Sequence, residues 1–198
     1  MKPGLALVAL FSSSCAAAQP TIPDSCAIER PDFGVATAAE RELFAYDVNA
    51  PLNLQKTVGA TENGVETSTI AFDSPDGGFA TGMLFDPVTR SSLRPGIVLM
   101  HGMPGNARST ANGAQLLAER GAVVIAIDAP FARRGGSPVV FGPGDRAEQI
   151  RLIKDLQRAV DVLRAQVNVD DARIAYQGIS YVGAMGALFV GIERRLAA

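Results

Sequence analysis

One eleven-residue stretch constrains the fold of this chain more than any other. From Arg173 through Ile174, Tyr176 and Gly178 to Ser180 and Gly183, it reads in three parts. They are a buried strand, a sharp turn carrying a serine, and the start of a small-residue helix. A strand that runs straight into a helix belongs to a strand–helix alternation. Such alternation builds a parallel sheet with both faces covered.

The residues from Pro95 onward repeat that alternation. Gly96–Met100 is a continuous apolar strand, and Thr110–Arg120 is a helix stopped by Gly121. Ala122–Ile127 is a second apolar strand. Asp145, with Glu148 three places on, opens a helix like a capping box. That helix carries Ile150, Ile153, Leu156, Val160 and Leu163 on one face at 3–4 residue spacing. Ile174–Gln177 is the strand that delivers Ser180.

The preceding part has a different period. Asn63-Gly64 between two β-prone runs is a type I′ hairpin signal. Ser74–Gly78 then separates Glu66–Phe72 from Phe79–Phe85, so three antiparallel strands are expected. Before them, residues 19–52 read as an extended lead-in with Pro20, Pro23 and Pro31, and a short helix over Ala38–Tyr46. The expected fold class is α/β: antiparallel first strands, then parallel strands with helices.

The N-terminus has the order of a secretory signal. Lys2 is its charge, Leu5–Phe11 its apolar run, and Ala16–Ala18 the small residues before cleavage ahead of Gln19. The apolar run is too short to span a bilayer. A lipid anchor at Cys15 would need an apolar residue where Ser12 stands. Residues 1–18 are therefore expected to be removed and the protein exported, to the periplasm or beyond. Cleavage leaves Cys26 alone, without a partner for an intrachain disulfide. A net charge of −2 with no Lys/Arg cluster gives no footprint for nucleic acid. No His/Cys/Asp/Glu set has metal-ligand spacing, and no phosphate-cradling glycine motif follows a strand, so no cofactor is expected.

In sheets of this kind, reacting groups gather beyond the carboxyl ends of the strands. Three segments arrive there: His101-Gly-Met-Pro-Gly105, Asp128-Ala-Pro130, and the Ser180 turn. A serine held in a strained strand-to-helix turn needs small neighbours, and Gly178, Gly183 and Ala184 supply them. The helix N-terminus behind it offers free N–H groups to an anion. The N–H of Tyr181 and that of Met103, in the loop after the earlier strand, are the expected pair of oxyanion donors.

From about Asn53 onward, residues 53–198 resemble the first part of an α/β-hydrolase, closest to the dienelactone-hydrolase and prolyl-oligopeptidase-like branch. The resemblance rests on His101-Gly-x-Pro-Gly105 as oxyanion loop, Asp128-Ala-Pro130 after the next strand, and Gly178-Ile-Ser180-Tyr as the nucleophile turn. Where the family has glycine two residues after the serine, Val182 stands here, with glycine at 183. The resulting G-x-S-Y-x-G form is similar to the X-Pro dipeptidyl-peptidase and cocaine-esterase groups.

The resemblance implies a serine hydrolase of ester or amide (peptide) bonds, with Ser180 as nucleophile and His101 and Gly102 shaping the oxyanion loop. In these families the general base and its carboxylate come from later loops. Here eighteen residues follow Ser180, and His101 is the single histidine. The domain is thus expected to be incomplete, its later strands missing, and the chain to turn over little substrate. The alternative is a non-catalytic relative that binds a ligand or partner. The strand before Ser180 would then be an exposed edge, open to self-association. Arg133 and Arg134 are expected to be solvated surface rather than a substrate clamp.

Overall fold

The computed structural model describes residues 37–198, apart from 90–91, 136–138 and 141. Residues 1–18, read above as a secretory signal, and Cys26 lie outside the described residues.

The first described element is α1 (Ala38–Glu42), opened by a reciprocal capping box between Thr37 and Glu40. It is shorter than the sequence suggests. Tyr46 has left the helix, and its hydroxyl donates instead to Asp161 at 2.9 Å. Two hairpins follow, made by β1 (Gln55–Glu62), β2 (Val65–Asp73) and β3 (Phe79–Pro87). Asn63 and Gly64 turn the first with φ of 49° and 76°, both positive as a type I′ turn requires. In the second, the Gly77 N–H donates to the Ser74 carbonyl at 2.9 Å.

The chain then alternates through β4 (Arg94–Met100), α2 (Ala111–Glu119), β5 (Val123–Ile127), α3 (Pro130–Arg133), α4 (Pro143–Arg164), β6 (Val169–Gly178) and α5 (Tyr181–Ile192). Two helix starts differ from their sequence signals. Asn106 caps a 3-10 turn, Ala107–Thr110, that leads into α2. Pro143 takes the first position of α4, so Asp145 sits in its first turn and accepts the Gly142 N–H at 2.7 Å. Proline suits that position because its missing N–H would be unpaired there anyway.

The six strands form one open mixed sheet in the order β1-β2-β3-β5-β4-β6. β4 is parallel to β5 on one side and to β6 on the other, while β3 meets β5 antiparallel. The larger core packs α4 and α5 against the sheet through Ile153, Leu156, Val160, Leu163, Val182 and Phe189. A second core on the opposite face is closed by Ala114 and Ala118 of α2. β5 lies between the two cores, and all five of its residues are buried. β6 is the last strand on its side. Along its outer flank the Ala197 N–H donates to the Ile174 carbonyl at 2.7 Å, and the Tyr176 N–H to the Ala198 carbonyl at 3.0 Å.

Candidate active site

β4, β5 and β6 run parallel, so their carboxyl ends deliver His101, Asp128 and Ser180 to one end of the sheet. Ser180 itself has φ 61° and ψ −127°. That backbone region is sparsely populated by L residues. Holding it costs on the order of 1–3 kcal/mol and requires that the surroundings enforce it. They do so from both sides. A Cβ on Gly102 would lie 3.2 Å from Ser180 Cβ and 3.3 Å from the Ile179 carbonyl oxygen, so the end of β4 abuts the serine turn. A Cβ on Gly178 would lie 2.8 Å from the Val182 carbonyl oxygen and would strike the Tyr176 hydroxyl.

The departure at Val182 has a structural answer. Val182 is fully buried in the larger core, and the close approach is made by the glycines after it. A Cβ on Gly183 would meet the Gly178 carbonyl oxygen at 3.3 Å, and one on Gly186 would strike the Tyr176 ring. The Tyr176 hydroxyl then donates to the Val182 carbonyl at 2.7 Å, fastening the strand to the first turn of α5.

His101 is 1 % exposed, and both of its ring nitrogens are engaged. Nε2 accepts the Ala129 N–H at 3.0 Å, so it carries no proton. Nδ1 therefore holds the proton and donates it to the Gly102 carbonyl at 2.9 Å. That carbonyl also accepts the Gly105 N–H at 2.8 Å. The Gly102–Met103 peptide is planar, so fixing its oxygen with two donors fixes the direction of the Met103 N–H on the opposite edge. Among the described residues the Met103 N–H makes no hydrogen bond, and the Tyr181 N–H stands at the first position of α5, where no intrahelical acceptor exists.

Burial pushes the His101 pKa below the ordinary imidazole value, against the opposing pull of the Gly102 carbonyl and the Asp128 charge. The unfolded imidazole titrates near pH ~6.5. A folded pKa below that contributes stability that is present above about pH 6.5 and is lost as pH falls toward the folded value. The expected result is that denaturant stability of the wild type declines between pH 7.5 and 5 more steeply than that of His101→Gln. Parallel declines would show that the ring is not held neutral.

Asp128 is a clamp at this end of the sheet. Its Oδ1 accepts the Ala107 N–H at 2.7 Å, and its Oδ2 the Thr81 hydroxyl at 2.6 Å. Phe131 stacks edge-on against His101 at 5.5 Å and against Tyr181 at 6.1 Å, walling the side toward α3. Burial raises the Tyr181 phenol pKa, so the ring stays neutral there. Arg133 is not the solvated residue that the sequence suggests, because its side chain pairs with the buried Asp155 of α4. Arg134 pairs with Glu148 at 2.6 Å. Both arginines fasten the segment after β5 to α4. Sequence patterning missed Tyr176 and Phe131, since each reads as an ordinary core aromatic.

Among the described residues no group of three His, Cys, Asp or Glu could hold a metal ion, and no helix is long and apolar enough to cross a membrane.

No protein-family model matches this chain, and no curated protein matches it in sequence. Solved structures do match. An acetyl xylan esterase from Paenibacillus sp. R4 is similar with a TM-score of 0.63 at 22% identity, over 74% of this chain and 52% of its own. Acetyl xylan esterase 1 from Thermoanaerobacterium sp. JW/SL YS485 gives 0.61 at 16% identity, over 74% and 51%. A glucuronoyl esterase from Solibacter usitatus gives 0.53 at 15% identity, over 80% and 56%. The chain has the open mixed sheet of the α/β-hydrolase fold, and it spans about half the length of these structures.

Proposed function

We propose that these residues form the nucleophile-bearing part of a serine hydrolase that cleaves ester bonds. The observation that carries this reading is Ser180, held at φ 61° between β6 and α5 with Gly102 packed against its Cβ. Its Oγ would attack the substrate carbonyl carbon, and the Met103 and Tyr181 N–H groups would receive the oxyanion that forms. His101 and Gly102 would shape the loop that presents Met103. Esters are favoured over peptides because the three similar structures are named as esterases.

His101 is not the base in this proposal. Its Nε2 lone pair is occupied by the Ala129 N–H, and its Nδ1 proton is directed at Gly102. The base and its carboxylate would belong to the portion of the fold that the similar structures have and these 198 residues do not span. The same engagement of His101 favours a second reading, a domain that binds an ester or a partner without turning it over. Export belongs to the proposal too, and mature protein that begins at Gln19 on N-terminal sequencing checks it.

A fluorophosphonate probe separates the two readings. Prolonged incubation should label Ser180 slowly but selectively, as mapped by peptide mass spectrometry, and Ser180→Ala should take no label. Labelling spread over other serines, or none on Ser180, would leave the binding reading standing.

A further inference from the structure

The segment after β5 grips the oxyanion loop at both ends. Ala129 donates to His101 at the start of that loop, and Asp128 accepts from Ala107 at its finish. These are adjacent residues on one strand end, so the two grips move together. The outer anchor is β3. The Asp128 N–H donates to the Thr81 carbonyl at 2.7 Å, while the Thr81 hydroxyl donates to Asp128 Oδ2. Asp128 is thus held by three hydrogen bonds from two residues, Thr81 and Ala107.

We propose that Asp128 is a positioning residue for the Met103 amide. It pins Ala107 directly and, through Ala129, holds the His101 ring that fixes the Gly102 carbonyl. The route alternates hydrogen bonds and chain links: Thr81 to Asp128, along the backbone to Ala129, Ala129 to His101, His101 to Gly102, and from there across one peptide plane to the Met103 N–H. Among the described residues Asp128 makes no hydrogen bond to Ser180, its carboxylate being taken up by Ala107 and Thr81. Its carboxylate acts by choosing where the 101–107 loop sits relative to the serine turn. A carboxylate suits the task because it accepts from a backbone N–H and a hydroxyl at once, and charge-assisted bonds of this kind are the stronger ones.

The inference rests on the proposed oxyanion role of Met103, so the experiment needs one readout that depends on that role and one that does not. The first is the rate of Ser180 phosphonylation by a fluorophosphonate in the full chain, measured well below the melting temperature. Losing an oxyanion donor outright costs on the order of 10²–10³ in rate. Misdirecting one in Asp128→Ala should slow labelling about tenfold or more. Asp128→Asn keeps an acceptor for Ala107 and a partner for Thr81, and should recover to within about threefold. Thr81→Val, which removes the hydroxyl bond of the outer anchor and keeps the backbone one, should fall between them.

The second readout is the amide spectrum of the 101–107 loop in ¹⁵N-labelled protein. Asp128→Ala should shift the Met103 and Ala107 resonances and speed exchange of the Ala129 N–H, while Asp128→Asn should leave Met103 near its wild-type position. Wild-type labelling by Asp128→Ala would overturn the proposal, as would an unmoved Met103 resonance. If even the wild type takes no label, the hydrolase reading fails by itself. The Met103 resonance then decides whether Asp128 positions the loop.

Discussion

Offered an activated aryl ester, the purified 198-residue chain should turn over on the order of 10⁶ more slowly than a serine hydrolase whose base is in place. Serine is a weak nucleophile at its own pKa, and its power depends on a neighbouring base. In serine proteases, loss of that base costs roughly 10⁶ in turnover. Binding and the oxyanion site alone leave about 10³–10⁴ over water. The single histidine of this chain is buried, and both of its nitrogens are spoken for. Losses within one catalytic unit do not add. Ser180→Ala should therefore lower the residual rate only modestly, and His101→Ala should act through the loop rather than through proton transfer. Turnover of many per second, abolished by both substitutions, would make His101 the base and overturn this assignment.

Gly82→Ala should be the most damaging small substitution in the fold. Gly82 of β3 sits opposite Ile127 of β5 where the antiparallel and parallel parts of the sheet join. An added Cβ there would collide with the Ala126 carbonyl oxygen and lie 2.9 Å from Ile127 Cα. All of these neighbours are backbone, so no side chain can swing aside. Overpacking a core typically costs about 1–3 kcal/mol, and more where nothing can relax. Against the ~5–15 kcal/mol stability usual for a domain, a loss of about 3 kcal/mol or more is expected, read as a lower urea midpoint. Gly113→Ala in α2 is the control, because nothing stands within 4 Å of its added Cβ. Relieved of glycine's entropy cost in a helix, it should gain roughly 0.5–1 kcal/mol. Equal midpoints for Gly82→Ala and wild type would show that the β3–β5 contact is looser than these distances imply.

Much of the architecture was legible because it obeys local rules. The Asn63-Gly64 turn needs two positive φ values, and this dipeptide tolerates them wherever it falls in a chain. The apolar runs Gly96–Met100 and Ala122–Ile127 are short, flanked by Pro95 and Gly121 and rich in Val and Ile, which favours buried strands. The 3–4 residue spacing from Ile150 to Leu163 could only place one helix face on a core. Ser180, set between an apolar strand and a glycine-rich helix, is marked by its neighbours as a strained turn, and its φ is 61°.

What the tertiary structure decided is which distant groups meet. No spacing in the sequence says that β5 inserts between β3 and β4, and that insertion is what leaves no room for a Cβ at Gly82. The tautomer of His101 and the partners of its ring were equally out of reach. A histidine after a strand can be a base, a ligand or a core residue, and only the arrival of the Ala129 N–H at Nε2 makes it a neutral brace. Arg133 pairs with Asp155 across 22 residues, and the Tyr176 hydroxyl lies under the first turn of α5 because the helix folds back onto its own strand. Periodicity and turn chemistry act over a few residues, so the chain spells out its elements. The proton positions and contacts that define the chemistry arise from packing between elements, which no short stretch of sequence encodes.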